Sequence, residues 1–234
     1  MPGWRGEGGQ HQGARPYQED SWALKTLPDG SLLAIVCDGM GGHAGGEVAS
    51  KAAVAAFTKA IEQGRKLAEG LSAANEAVRQ ASVAKPDLAG MGCTLVGVIV
   101  KDDEVTWISV GDSPFFLADG DRLVRLNADH SMAPQIDALV TRGAITREEA
   151  EHHPARHTLR EAVMGEPLAM IDEGKRAVGV DARLLVCSDG VQTLDEKELL
   201  ARAKRPVKGI VDAVMAAKKK HQDNVTVVLL ERES

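Results

Sequence analysis

The sequence predicts an α+β fold: two mainly antiparallel sheets stacked on each other, with helix pairs covering both outer faces in a four-layer α/β/β/α sandwich. Three observations predict it. Short, β-branched apolar runs bounded by Gly or Asp recur along the chain, as buried strands do. Asp102-Asp103 and Asp119-Gly120 separate neighbouring runs as hairpin turns. Helical patterns come in pairs between groups of strands, not after every strand. The 234 residues are 44% apolar, enough for one substantial core, and a single domain over residues 1–234 is expected. Only 3% are aromatic, so Val, Leu, Ile and Ala must carry the packing.

Residues 4–10 and 21–27 read as opening strands around a turn, and 31–38 as the first buried strand. The glycine-dense loop 39–46 opens a helix over 47–63, with Val48, Ala52, Ala55, Ala56 and Ile61 on its apolar face. A second helix over 67–83 completes a hairpin that covers one sheet. Strands follow at 92–100, 104–110, 114–119 and 121–126. Residues 131–164 turn polar and helical, broken by Pro134 and Pro154, and read as a lid or flap. Strands return at 168–178 and 182–188, helices at 195–203 and 207–220, and a last strand at 224–232. Pro206 falls near a helix N-terminus, where its missing N–H costs little. Lys218-Lys219-Lys220 would complement the dipole at the end of that helix.

Several functions are excluded. A net charge of −6 gives no reason to bind nucleic acid or an anionic membrane. No apolar stretch approaches the ~20 residues that span a bilayer. No basic-then-apolar leader pattern opens the chain, so a cytoplasmic location is expected, and a monomer with it. Cys37, Cys93 and Cys187 lie in apolar runs with no Cys-x-x-Cys, and read as small buried hydrophobes of a reducing compartment. Thiol-based phosphate chemistry would need Arg six residues after the cysteine, where His43, Ile99 and Thr193 stand. Glu47-Val48 follows Gly46 where a nucleotide-binding loop needs Lys-Ser/Thr. His152, His153 and His157 lack cysteine companions, and Pro154 breaks their spacing, so they read as a solvated flap rather than a zinc site. Arg142, Arg147, Arg156 and Arg160 read as exposed helical surface, with recruitment of an acidic segment as the alternative.

The acids are more informative. Two apolar runs end on Asp38-Gly39 and, after Ser188, on Asp189-Gly190; a third begins after Asp223-Asn224. If the last strand runs antiparallel to the first two, all three aspartates meet at one edge of the sheet. Such carboxylates repel by roughly 4 kcal/mol per pair at ~4 Å and an effective dielectric of ~20. A hard divalent cation such as magnesium or manganese suits them. Arg15-Pro16-Tyr17-Gln18-Glu19-Asp20, taken alone, reads as a solvated turn.

Taken together and in order, these motifs resemble the metal-dependent protein phosphatase 2C family, its compact bacterial members above all. The resemblance is carried by Arg15-x-x-x-Glu19-Asp20, the run from Asp38 to Glu47, Gly92-Cys93-Thr94, Gly111-Asp112-Ser113, Asp129-His130-Ser131, Ser188-Asp189-Gly190 and Asp223-Asn224-Val225-Thr226. Thr141 to Thr146 and His153-Pro154 also look like the family's flap. The motifs span nearly the whole chain.

The resemblance implies a two-metal site at one end of a central β-sandwich, holding Mn2+ or Mg2+. By position, Asp38, Asp189 and Asp223 would ligate one ion, and Glu19, Asp38 and the Gly39 carbonyl the second. Asp20 would orient the attacking water, and Arg15 would grip phosphate with a fork that Lys cannot copy. The implied reaction is hydrolysis of phosphoserine and phosphothreonine in proteins, a bridging hydroxide attacking phosphorus in line. The substrates would include a Ser/Thr kinase or its targets, in reversal of bacterial kinase signalling. His43 is a candidate acid for the leaving oxygen; capping the helix or bonding a ligating carboxylate are its alternatives.

Departures bear on a third ion. Relatives place an acid four residues after the Asp-Gly aspartate, where Thr193 stands, and Arg after Gly-Asp-Ser, where Pro114 stands. Asp112 remains as a ligand, but Thr193 is neutral and short, so the third ion is expected to be weak or absent. A catalytically weak phosphoprotein-binding regulator on the same fold is the alternative function.

Overall fold

The computed structural model describes residues 3–41 and 45–233. In chain order its strands are β1 (Trp4–His11), β2 (Ser21–Thr26), β3 (Leu32–Cys37), β4 (Gly39–Met40), β5 (Gly92–Cys93), β6 (Leu95–Lys101), β7 (Glu104–Val110), β8 (Phe115–Asp119), β9 (Arg122–Arg125), β10 (Asp172–Ala177), β11 (Arg183–Cys187) and β12 (Val225–Arg232). The helices are α1 (Gly45–Glu62), α2 (Leu67–Ala84), α3 (Ala133–Thr141), α4 (Arg147–Glu151), α5 (Glu196–Ala203) and α6 (Val207–Ala216).

Two five-stranded sheets result, in the orders β1-β12-β11-β8-β9 and β10-β7-β6-β3-β2, with β4-β5 as a separate ribbon. Every pairing is antiparallel. The two Asp turn signals deliver their hairpins: Asp102 adopts φ +48° between β6 and β7, and Gly120 φ +60° between β8 and β9.

Strand alternation explains the layers. Leu32, Ala34 and Val36 of β3 face the other sheet, where they meet Leu184, Val186, Val228 and Leu230. Leu33, Ile35 and Cys37 face the opposite way, onto Phe57 and Ile61 of α1 and Leu71 and Val78 of α2. On the other outer face Val227 and Leu229 of β12 pack on Leu199, Ile210 and Val214 of α5 and α6. Strands covered on both faces need apolar residues at successive positions, which is why these runs are continuous. Trp107 meets Phe115 across the sheets, ring centroids 5.8 Å apart and tilted by 58°. Phe57 is fully buried, and burying such a ring contributes about 1.5–3 kcal/mol. Gly97 of β6 makes room for it, since a Cβ there would run into the ring.

Some expected elements differ. The opening strands are not partners: β1 pairs with β12 in one sheet and β2 with β3 in the other. The strand expected over 92–100 breaks at Thr94, because β5 pairs with β4 while β6 joins the main sheet. The strand expected from 168 starts at Asp172, because Glu161 Oε2 accepts the Ala169 and Met170 N–H groups (2.7 and 2.9 Å) instead of a ladder doing so. Helix α6 ends at Ala216, not at residue 220; Lys218 turns the chain at φ +50°, so the lysine run lies beyond the helix.

Segment 131–164 holds α3 and α4, the latter opened by reciprocal hydrogen bonds between Thr146 and Glu149. The bridge Ser131–Leu159 closes the segment on itself, and the bridge Cys93–Val163 ties its C-terminal end to β5. Arg156 and Arg147 pair with Asp137 (2.9 and 3.4 Å), so two of the flap arginines hold the segment together. Among the described residues no helix is long and apolar enough to cross a membrane.

Candidate active site

Asp38 follows β3, Asp189 follows β11, and Asp223 precedes β12. β11 and β12 are antiparallel neighbours in one sheet, and β3 belongs to the other. The three carboxylates therefore meet at one end of the sandwich, delivered by both sheets and not by a single sheet edge. The Asp38 and Asp189 carboxyls lie within hydrogen-bonding reach of each other, and the charge of Asp223 acts on both.

Each acid has a support. The Asp38 N–H donates to Thr94 Oγ1 (3.0 Å), and Thr94 Oγ1 is 2.6 Å from Ser113 Oγ, so the Gly-Cys-Thr and Gly-Asp-Ser motifs meet behind Asp38. Asp20 is buried, with Oδ2 accepting from Ser188 Oγ and Thr226 Oγ1 at 2.7 Å each. Asn224 binds the segment before β2 to the start of β12. Its Oδ1 accepts the Glu19 N–H (2.7 Å), and its Nδ2 donates to the carbonyls of Gln12 and Tyr17 (2.7 and 3.0 Å). Gly39 and Gly46 let the first turn of α1 approach Glu19: a Cβ at Gly39 would strike the Gly46 and Glu19 backbones, and one at Gly46 would strike Glu19 Oε1.

Burial, then the charges of Asp20, Asp189, Asp223 and Asp112, push the Asp38 carboxyl well above its usual range. Asp189 is raised by burial and Asp223, and pulled back by Asp38 and by the charges of His157 and Arg15. Burial raises Asp20 to about 7 against its two hydroxyl donors. Asp112 reaches about 7 through burial, Asp189 and Asp129, opposed by Arg125, which donates to the Asp112 carbonyl (2.8 Å). Glu19 is raised by burial, offset by the Gly46 N–H and Arg15. Arg15 Nη2 pairs with Asp223 Oδ2 at 2.5 Å.

Among the described residues, six carboxyl groups thus crowd one site with a single arginine ion-paired to one of them. Buried Glu19 Oε1 and Asp20 Oδ1 have no hydrogen-bond partner among the described residues. Among the described residues no three His, Cys, Asp or Glu side chains already close on one point as a metal cage. The donor set nonetheless fits hard divalent ions: every donor is oxygen, negative charge is in excess, and a buried carboxylate oxygen is unused.

The site thus gathers Arg15, Glu19, Asp20, Asp38, Asp112, Asp189 and Asp223; Gly39 lies beside Glu19 and Gly46. His43 lies outside the described residues. Thr94, Ser113, Ser188, Thr226 and Asn224 were legible only as parts of motifs, because a hydroxyl or amide on a buried strand carries no periodic signal. His157, read as solvated flap, lies near enough for its charge to act on Asp189.

A family profile described as "Protein phosphatase 2C" matches residues 7–228. The serine/threonine phosphatase stp of Listeria monocytogenes is 31% identical over 94% of this chain and 92% of its own length. The solved serine/threonine phosphatase PstP/Ppp of Mycobacterium tuberculosis superposes with a TM-score of 0.82 at 28% identity, covering 99% of each chain. A structure of the PstP catalytic domain in complex with two manganese ions matches with a TM-score of 0.80 at 27% identity, again over 99% of each. Profile, sequence and superposition agree along nearly the whole length, and the chain belongs to the protein phosphatase 2C family.

Proposed function

We propose that this chain is a protein-serine/threonine phosphatase, hydrolysing phosphoserine and phosphothreonine in protein substrates with manganese or magnesium. The observation that carries the reading is the meeting of Asp38, Asp189 and Asp223 with Glu19 and Arg15 at one end of the sandwich. Its family membership and the activity named for its relatives support it.

Asp38, Asp189 and Asp223 would hold one ion, and Glu19, Asp38 and the Gly39 carbonyl a second. Bound there, divalent ions supply an activated water and offset charge on the phosphoryl oxygens. Arg15 turns its guanidinium from Asp223 toward the dianionic phosphate, fixing phosphorus in line. Asp20, held on Oδ2 by Ser188 and Thr226, orients the attacking water through Oδ1. His43 is the proposed proton donor to the leaving alkoxide. Thr193 donates to Gln222 Oε1 (2.8 Å), which supports a third site beside Asp112 that is weak or absent. We read residues 1–234 as one catalytic domain with 131–164 as its flap, acting as a cytoplasmic monomer that opposes bacterial Ser/Thr kinases. The non-catalytic alternative is not favoured, because every acid the chemistry needs reaches the site.

Hydrolysis of a phosphothreonine peptide and of p-nitrophenyl phosphate tests this reading. Both reactions require Mn2+ or Mg2+ and stop in Asp38→Asn. Metal-independent turnover, or full activity in that variant, overturns it.

A further inference from the structure

At the end of the sandwich opposite the carboxylates, a cavity of about 400 Å³ lies between the first sheet and the turn from α5 to α6. Strand register sets its floor: Glu231 of β12 stands between Arg5 of β1 and Arg183 of β11. Glu231 gives one carboxylate oxygen to Arg5 (2.6 Å) and the other to Arg183 (2.8 Å), so one negative charge serves two guanidiniums. Arg183 is locked further by the carbonyl of Ala203 at the end of α5 (2.8 Å). Lys204 and Arg205 follow on the turn, exposed and without an ion pair among the described residues. The other acid at the rim, Glu7, accepts the Val207 N–H that opens α6 (3.2 Å).

Four cationic side chains therefore face two acidic ones, a local excess of two positive charges on a chain whose net charge is −6. That excess matches a phosphomonoester, which carries about −1.5 to −2 at neutral pH. Arg5 and Arg183 are pre-oriented by their shared carboxylate, and Lys204 and Arg205 are free to close on an anion. Nothing in the proposed chemistry uses this cavity. Along β1, Arg5 lies six positions from His11, the partner of Val225 beside the carboxylate end. At ~3.3 Å per residue the two sites lie about 20 Å apart.

We infer that this cavity is a second phosphate site, which holds a phosphorylated side chain of the substrate protein remote from the one being hydrolysed. The inference rests on the phosphatase reading and deepens it: the favoured substrates are segments carrying two phosphates with a wide spacing.

The test uses phosphothreonine peptides with a second residue about three or about ten positions away, only the longer spacing spanning about 20 Å. That second residue is phosphoserine, glutamate or serine. Phosphoserine at the long spacing is expected to lower KM about tenfold relative to serine, an effect of ordinary size for a charge-assisted contact. The short spacing and the glutamate peptide are expected to show little gain. In Lys204→Glu/Arg205→Glu the gain disappears, while kcat and KM for p-nitrophenyl phosphate stay native. An absent gain, an equal gain at both spacings or with glutamate, or a gain that survives in the double variant overturns the inference. Fluorescence anisotropy of the doubly phosphorylated peptide on Asp38→Asn reads binding without turnover. Binding there that depends on Lys204 and Arg205, with no hydrolysis by the native chain, supports the cavity and overturns the phosphatase reading instead.

Discussion

Thr94 clasps the Asp38 peptide from both sides: the Asp38 N–H donates to Thr94 Oγ1 (3.0 Å), and the Thr94 N–H donates to the Asp38 carbonyl (2.8 Å). The break between β5 and β6 is what frees Thr94 for this. Thr94→Val keeps the shape but strands the Asp38 N–H, at a cost of about 1–3 kcal/mol. The variant is expected to melt earlier and to bind Mn2+ about tenfold more weakly by calorimetry, with turnover falling alongside. Thr94→Ser, which keeps the hydroxyl, stays near native. Native Mn2+ affinity in the valine variant contradicts this role.

The raised carboxyls make stability depend on pH and on metal. Asp20 and Asp112 sit at about 7 in the folded chain, against ~3.9 unfolded. The fold holds these protons more tightly than the unfolded chain. Their contribution is therefore full below about pH 4 and is lost as pH rises through about 7. In EDTA, urea denaturation midpoints are expected to fall across this window, and Asp112→Asn to show a shallower fall. Added Mn2+ restores stability at pH 7 and above, by about 2.7 kcal/mol at a hundredfold excess over Kd. A midpoint that climbs from pH 4 to 8 in EDTA contradicts this account.

Fold and site were legible to different depths. Continuous apolar runs, hairpin turns at Asp102 and Gly120 and paired amphipathic helices are local signals, and the sandwich follows from them. What the local pattern lacked was partner choice. Whether β1 pairs with β2 or with β12, and whether residues 92–93 join the main sheet or the β4 ribbon, is decided by contacts far along the chain. The same holds at the site. Asp38, Asp189 and Asp223 announce themselves at strand ends, and motif order adds Glu19, Asp20, Asp112 and Arg15. Asn224, Ser188 and Thr226 act through hydrogen bonds to residues some 200 positions away, and nothing in their own neighbourhoods marks that task.

Arg15 leans on Asp223 in a pair whose side chains are about half exposed. Such a pair stabilises a fold by about 0–1 kcal/mol, so the proposed grip on phosphate can be tested apart from stability. Arg15→Ala and Arg15→Lys are expected to melt like the native chain. Both raise KM for p-nitrophenyl phosphate by about tenfold or more, the lysine failing because it lacks the fork. Steady-state kinetics beside a thermal melt separates the two effects; a lysine variant with native KM contradicts the proposed grip.

Two acids of the same cluster are expected to differ in weight. Asp189 lies against Asp38, while the charges acting on Asp112 are those of Asp189, Asp129 and Arg125, and the Thr193 hydroxyl is spent on Gln222. Asp189→Asn is expected to abolish turnover and Asp112→Ala to lower it by about tenfold or less. Equal collapse in assays at saturating Mn2+ contradicts a two-ion core.

The most direct measurement is anomalous diffraction at the manganese edge from crystals soaked in Mn2+. Two peaks are expected between β3 and the β11–β12 pair, one ligated by Asp38, Asp189 and Asp223, the other by Glu19, Asp38 and the Gly39 carbonyl. No peak at that end of the sandwich, or manganese bound only elsewhere, contradicts the account.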